Sequence, residues 1–300
     1  MRFALQTGEI ESYTILSRQS VPNDKPIEEI VLLPSISRAL VFSDKQIHFY
    51  TLPSLDVVSH QVIKPIRNVV TFAVDQRHLT RPAPSANSAS HRNEAVDFCV
   101  MKRTSIALYS LRERLFYQKE IPLPDGPVIL ARRIGSSLCL ADSKLYHLLN
   151  LETAEMFPIL PLNQDGQSPN LPVEPFIIPT GDNDFLVVSW TGENGSMGIF
   201  LTTSGDPVRG TLTWSQHPIS ICVDYPHVAA LLPNGAVEIH NIDSQDLVQV
   251  IPPPPEDSPV DRTRLVSTLM GYLVPSTRSS AKMRKVPVSL NRGSSSQSES

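Results

Sequence analysis

A glycine-rich stretch around position 195 is the first place where the sequence could hold a reactive group. Gly192, Gly195 and Gly198 recur at every third position, as they can in a loop that cradles a phosphate. Such a cradle needs a strand before the loop and a helix after it. Strand-like apolar segments flank this stretch on both sides, so it is predicted to be a hairpin. Ser196 does not fit the G-x-S-x-G nucleophile motif either, because Asn194 stands where that motif requires glycine.

A calcium loop is the second candidate. Asp182, Asp184 and Glu193 match positions 1, 3 and 12 of such a loop. Leu186 and Val187 occupy positions 5 and 6, where calcium binding needs an oxygen ligand and a glycine that permits a sharp turn. The calcium interpretation is therefore rejected.

The histidines do not have the spacing of metal ligands. The eight of them never occur as H-x-x-H or H-x-x-x-H, the spacings that place two imidazoles on one metal ion. His48, His147 and His240 lie in strand-like segments and are interpreted as ordinary strand residues.

Three cysteines, Cys99, Cys139 and Cys222, lie far apart inside apolar segments. An odd and sparse set of this kind is typical of buried thiols in a reducing compartment. With every candidate motif lacking a required residue, the sequence predicts no catalytic residue, no metal site and no cofactor. No partner-binding residue can be assigned from it.

The segment at 218–251 shows the structural unit from which the chain is built. It contains four short strand-like runs, separated by Tyr225 and Pro226, by a turn at Asn234 and Gly235, and by a third polar turn. An Asn-Gly pair favours positive φ at both turn positions of a tight hairpin. Four strands in about 35 residues cannot bury both of their faces alone, so the unit must repeat.

The repeat is visible elsewhere in the chain. Segments 39–58, 137–156 and 228–248 share one order of apolar strand, polar turn, alternating strand, second turn and fourth strand, and their first turns are separated by 98 and 92 residues. Each interval contains one further copy, at 100–121 and 185–208. A period of roughly 46–49 residues is typical of a four-stranded propeller blade. The sequence therefore predicts an all-β protein, a β-propeller with five visible blades. Strands are expected near 39–43, 46–51, 137–141, 144–150, 228–232 and 236–241.

Domain limits follow from where this pattern stops. Residues 1–255 are assigned to the propeller, most clearly 20–251. Two inserts, 75–93 and 163–172, contain few large apolar side chains and are expected to be mobile, because nothing anchors them.

The last 45 residues differ in composition and charge. Residues 256–300 carry seven Arg or Lys against four acids, a net charge of +3. Because the whole chain has a net charge of −4, the first 255 residues carry −7. This part is interpreted as a Pro/Ser-rich basic linker or tail, mostly disordered, with one helical candidate at 261–273. An acidic propeller does not suit nucleic acid, whose phosphates require clusters of basic residues.

The sequence predicts neither a signal peptide nor a membrane-spanning segment. The first residues lack the basic start and apolar run of a signal peptide, and no apolar run reaches 18 residues. The protein is expected to be cytoplasmic, with any membrane contact peripheral and made through partners.

Two segments of the chain resemble a known family. Residues 27–58 and 175–242 resemble the citron-homology (CNH) domain, and in particular the version at the start of the vacuolar-sorting tethering subunits, the TGF-β-receptor-associated protein family of the CORVET and HOPS complexes. The similarity includes Phe185, Gly198 and Trp214 and covers roughly residues 20–251. A propeller close to the first residue is the arrangement of those subunits, which continue into a long α-helical solenoid.

The resemblance implies a function that the residues alone do not. It implies a non-catalytic interaction module acting in vesicle-mediated transport and membrane fusion at endosome and vacuole membranes. The implied partners are a Rab-family GTPase and other tethering-complex subunits. Two alternatives remain open from the sequence: the CNH regulatory domain of a Rho-signalling protein, and a propeller hydrolase with polar residues lining its channel.

Overall fold

A computed structural model describes residues 2–5, 13–17, 19–82, 94–123, 126–168, 171–181, 183–253, 266–268, 271–275 and 283–286. These residues form five four-stranded antiparallel sheets and two smaller sheets. In each of the five, every strand pairs with its neighbour in sequence, which is the meander of a propeller blade. The predicted all-β propeller with five blades is confirmed.

The blades are numbered here in chain order. Blade 1 contains β3 (Ile27–Leu33), β4 (Arg38–Ser43), β5 (Gln46–Thr51) and β6 (Ile66–Arg67). Blade 2 contains β7 (Thr71–Val74), β8 (Val96–Met101), β9 (Ser105–Leu111) and β10 (Leu115–Pro122). Blade 3 contains β11 (Leu130–Ile134), β12 (Ser137–Ala141), β13 (Leu145–Asn150) and β14 (Met156–Pro161).

The last two blades follow the same order. Blade 4 contains β15 (Phe176–Pro179), β16 (Asp184–Trp190), β17 (Ser196–Thr202) and β18 (Leu212–Trp214). Blade 5 contains β19 (Ser220–Asp224), β20 (His227–Leu231), β21 (Val237–Asn241) and β22 (Leu247–Ile251). All six strands predicted above are present, each within two residues of its expected limits.

Two smaller sheets and four single helical turns accompany the blades in the described residues. The smaller sheets contain β1 (Arg2–Leu5) with β2 (Tyr13–Ser17), and β23 (Val266–Thr268) with β24 (Gly271–Pro275) and β25 (Met283–Val286). Single 3₁₀ turns lie at Pro22–Asp24, Pro34–Ile36 and Gly192–Asn194, and one helical turn, α1, at Gln76–Leu79. Within the described residues, no helix has the length and apolar composition needed to cross a bilayer.

The core lies between neighbouring blades. Leu40 and Phe42 of blade 1 pack with Phe72 and Phe98 of blade 2, and similar clusters join blades 2 and 3, 3 and 4, and 4 and 5. The first strands of blades 2 to 5 lie side by side, as the innermost strands of a propeller do. This arrangement explains the sequence pattern, since the second strands of the blades are buried on both faces, while the fourth strands of blades 2, 3 and 5 are largely exposed.

Two local expectations differ from the structure. The described part of the helical candidate 261–273 is strand, at Val266–Thr268 and from Gly271 onward, because β-branched residues at 266 and 268 and antiparallel pairing favour the extended form. At the Asn234–Gly235 turn only Gly235 has positive φ, since the loop spans three residues and Leu232 N–H bonds to Ala236.

The two inserts and the tail are only partly described. In the insert at 75–93, the carboxylate of Asp75 caps α1 by accepting from Arg77 N–H, and residues 83–93 lie outside the described range. In the insert at 163–172, Asn163 donates to the carbonyl oxygen of Ser168. In the tail at 256–300, the described residues are those of β23 to β25. The expected mobility of the inserts and of the tail stays a prediction.

Candidate interaction surface

The three strand histidines lie in separate blades and do not form one site. His147 contacts Asp142 at 2.9 Å, within a turn where the Asp142 carboxylate also accepts two backbone N–H groups. His240 lies edge-on to Trp214 with ring centroids 5.7 Å apart, and burial lowers the pKa of both His48 and His240. Among the described residues, no three His, Cys, Asp or Glu side chains come close enough to hold a metal ion.

The described cysteines are free, and the two in blades 2 and 3 are buried. Burial raises the pKa of Cys99 to about 11 and raises that of Cys139 further. Because the thiolate is the reactive form of cysteine, neither thiol is suited to nucleophilic chemistry. Both have the packing role expected from the sequence.

A serine–histidine pair in blade 4 was missed by the sequence argument. Ser196 Oγ lies 2.8 Å from His217 Nδ1, and His217 Nε2 lies 2.8 Å from the carbonyl oxygen of Glu174. A carbonyl oxygen can only accept, so Nε2 carries the proton and Nδ1 accepts from the serine hydroxyl. Twenty-one residues separate the pair, and no local motif signals it.

This pair lacks two features of a catalytic site. Ser196 is 1% exposed, so a substrate carbonyl has no route to its hydroxyl. The group behind the histidine is a neutral carbonyl, where a catalytic triad has a carboxylate that stabilises the imidazolium. Burial also lowers the pKa of His217. The pair therefore acts as a structural bridge that fixes the segment before β19 against β17 and the segment before β15.

An open cleft of about 860 Å³ lies beside this bridge. Segments that lead into the innermost strands of blades 3, 4 and 5 line it, so it opens on the face where the inter-blade connections cross. Its wall is mainly apolar: Ile129, Leu171, Val173, Trp190, Ile219 and three prolines. Two of the lining residues have polar side chains, the carboxylate of Glu174 and the imidazole of His217. An apolar wall with few polar groups suits the side chains of a protein partner.

The opposite face of the propeller carries charged groups. Arg209, in the third loop of blade 4, contacts Asp184 at 2.7 Å and Asp243 of blade 5 at 3.6 Å. Tyr225 donates to the same Asp243 carboxylate at 2.8 Å. Since these groups satisfy one another and several are exposed to solvent, they join blades 4 and 5 and add little stability beyond that.

Fold and surface together define a β-propeller whose described residues offer an apolar cleft suited to contact with a protein partner. The family model described as "VPS3 N-terminal domain" matches residues 8–252, so the chain belongs to the family of VPS3 N-terminal domains. This confirms the predicted resemblance to the propellers of vacuolar-sorting tethering subunits.

Curated relatives agree with this assignment. The chain is 25% identical over 229 residues to the transforming growth factor-beta receptor-associated protein 1 homolog of Danio rerio, a match that covers 76% of this chain and 24% of that protein. It is 22% identical over 247 residues to the vacuolar protein sorting-associated protein 3 of Saccharomyces cerevisiae, covering 80% of this chain and 22% of that protein. The chain thus spans about a quarter of the length of these relatives.

Solved structures include similar chains. The AfRom2 CNH domain aligns over 84% of this chain and 77% of its own, with a TM-score of 0.46 and 18% identity. The computationally designed Ika8 protein aligns over 84% of this chain and 68% of its own, with a TM-score of 0.52 and 8% identity. At such low identity the second likeness concerns the fold alone.

Proposed function

We propose that this propeller is a non-catalytic protein-interaction module of a tethering subunit in vesicle-mediated transport and membrane fusion. The observation that carries the proposal is the family match over residues 8–252, together with relatives named for vacuolar protein sorting. A propeller suits this role, because a rigid ring of blades presents loops to several partners at once.

The partners proposed are a Rab-family GTPase and other subunits of the same tethering complex. Their support is the resemblance to the tethering subunits. The proposed location is the cytoplasmic side of endosome or vacuole membranes, with peripheral and indirect attachment. No contact with nucleic acid is proposed, because the first 255 residues carry a net charge of −7.

The apolar cleft is the surface proposed for a protein partner. Ile129, Leu171 and Ile219 are exposed there, and exposed apolar side chains grouped around a concave surface are typical of recognition sites. Burial of these side chains by a partner would supply the main favourable contribution to binding.

A nucleotide-dependent binding experiment tests the proposal. The full natural protein is used to capture endosomal Rab proteins loaded with GTP or with GDP, and other tethering subunits from the same cells. Binding that depends on GTP supports the GTPase assignment. Ile129→Asp and Ile219→Asp should weaken capture of the cleft partner at least tenfold, since a carboxylate would be buried against apolar groups.

Val208→Asp is the matched control, because Val208 is an exposed apolar residue on the opposite face. Failure to capture any tethering subunit, with unaltered vacuolar sorting in a deletion strain, would contradict the proposed function. Equal capture by the cleft variants would contradict only the choice of surface.

A further inference from the structure

The outermost strand of blade 2, β10, has the longest free edge among the five blades. It is eight residues long, whereas β6 has two residues, β18 has three and β22 has five. β14 contains Pro158 and Pro161, which cannot donate to an added strand. Within the described residues, β10 is hydrogen-bonded to β9 alone, and the first proline along it is its last residue, Pro122.

Aromatic side chains lead across blade 2 to this edge. The rings of Phe98 and Tyr109 are stacked with centroids 5.5 Å apart, and those of Tyr109 and Tyr117 meet edge to face at 5.8 Å. The three residues belong to β8, β9 and β10 in turn, so they form a ladder across the sheet. The ladder ends at Tyr117, which is 56% exposed, next to Phe116, which is 53% exposed. A side chain on an added strand, placed beside Tyr117, would extend the ladder by a favourable cross-strand contact.

The charge around this edge is opposite to that of the rest of the propeller. Residues 96–122 carry five Arg or Lys against three acids, although the first 255 residues together are acidic. Arg103, Arg112, Arg114 and Lys119 are exposed, and in the described part of the chain none of them forms an ion pair. Glu120, by contrast, is held by Ser105 and Lys102, so it does not neutralise them.

The edge also carries features that select among strands. A register shift between Tyr117 and Lys119 marks a bulge at Gln118, so an added strand has to pair on either side of it. A lysine on an edge strand discourages pairing with a second copy of the same edge. Two β10 strands would also bring basic groups against basic groups. An acidic strand meets no such repulsion and gains from the unpaired Arg and Lys side chains.

We propose that β10 binds an extended, acidic segment of a partner protein, which adds as a fifth strand to blade 2. The segment's backbone pairs with the free edge, an aromatic or β-branched side chain packs beside Tyr117, and its carboxylates face Arg114 and Lys119. Strand addition of this kind takes affinity from main-chain hydrogen bonds and specificity from alternate side chains. The inference rests on the proposed function, since it names one chemical class of partner for an interaction module.

Labelled peptides test the proposal directly. Three ten-residue fluorescein peptides are titrated with the 300-residue chain by fluorescence polarisation. The first alternates valine with aspartate around a central tyrosine, the second has lysine in place of aspartate, and the third has proline in place of two valines. The acidic peptide should bind at least tenfold more tightly than either of the others, because only it combines complementary charge with a pairing-competent backbone.

Variants locate the binding to the edge. Replacing both cations with R114E and K119E should weaken the acidic peptide at least tenfold, and Tyr117→Ser should weaken it severalfold. Phe157→Ser is the matched control, since Phe157 is a 44% exposed aromatic residue on the outer strand of blade 3, where prolines interrupt the edge. Amide exchange in residues 115–122 should slow on binding, and exchange in 156–161 should not.

Any one of three results would overturn the inference. These are absence of binding at millimolar protein, equal binding of the acidic and lysine peptides, and unchanged affinity of the acidic peptide for the edge variants. Self-association of the chain through β10 in sedimentation, abolished by the charge reversals, would identify a second copy as the occupant instead. These results concern blade 2 alone, so they leave capture of tethering subunits, and with it the proposed function, to be judged separately.

Discussion

The hydroxyl of Tyr146 in blade 3 donates a 2.6 Å hydrogen bond to the carbonyl oxygen of Val188 in blade 4. The same hydroxyl accepts a 2.9 Å bond from the backbone N–H of Phe176. Tyr146 is fully buried, and burial raises the pKa of its phenol. One side chain therefore satisfies two backbone groups of the neighbouring blade and fixes the spacing of the two sheets.

Tyr146→Phe should lower the free energy of unfolding by about 1–3 kcal/mol, because it removes the partner of two polar groups while keeping the ring. Urea denaturation followed by circular dichroism measures the change. Tyr225→Phe is the control, since the Tyr225 hydroxyl contacts Asp243 at the exposed surface, and its midpoint should match that of the wild type. A Tyr146→Phe protein as stable as the wild type would show that the inter-blade bonds contribute nothing.

Gly195→Ala should destabilise the protein by roughly 3 kcal/mol or more, since it combines overpacking with backbone strain. A Cβ atom at this position would lie 2.0 Å from the carbonyl oxygen of Trp214, and φ is +87°. Gly166→Ala is the control, because a Cβ there meets nothing within 4 Å. Thermal unfolding of the two variants makes the comparison, and equal melting temperatures would contradict the close approach of the two chain segments.

Lys45→Gly should stabilise the protein by about 1 kcal/mol, because glycine adopts left-handed backbone conformations without steric cost. Asp44 and Lys45 form a two-residue hairpin turn with φ of +51° and +57°. Lys144 occupies a similar hairpin in blade 3 but does not have positive φ, so Lys144→Gly should not stabilise. Chemical denaturation measures the free energy of unfolding of both variants. A Lys45→Gly protein less stable than the wild type would contradict the prediction.

Stability should fall as the pH rises above about 9, partly because of Cys99. Burial holds the pKa of this thiol at about 11 in the folded protein, against an ordinary value of 9.0. The unfolded chain therefore loses its proton first, and the stability that the neutral thiol contributes is complete below pH 9 and lost as the pH rises toward 11. Cys99→Ala should reduce the loss between pH 8 and pH 11 by about 2–3 kcal/mol. Identical pH profiles of the two proteins would contradict a buried neutral thiol.

Ser196 should not react with a fluorophosphonate probe, although His217 Nδ1 lies 2.8 Å from its hydroxyl. The hydroxyl is buried, so the probe cannot reach it. Mass spectrometry of the treated protein should show no adduct, while an authentic serine hydrolase added to the same reaction is labelled. An adduct on Ser196 would support the hydrolase alternative.

Much of the fold could be predicted because the information is local. Apolar alternation and turn residues placed strands such as Arg38–Ser43 and Ser137–Ala141 within two residues, since alternation reflects which faces of a strand are buried. Repetition of the pattern then predicted the number of blades. Two predictions were wrong, the helix at 261–273 and the positive φ at Asn234. At both places the pairing of neighbouring strands overrode the intrinsic preference of the segment.

The candidate surfaces could not be predicted in this way. The cleft joins Ile129, Leu171 and Ile219, which lie in three inter-blade connections, and no sequence pattern links residues so far apart. The free edge of β10 exists only because no described strand pairs with its outer side, which is a property of the sheet. The sequence by itself determined the strands, the repeat and the absence of a known catalytic motif. Only the tertiary structure decided which apolar side chains stay exposed, because burial depends on which blade lies next to which.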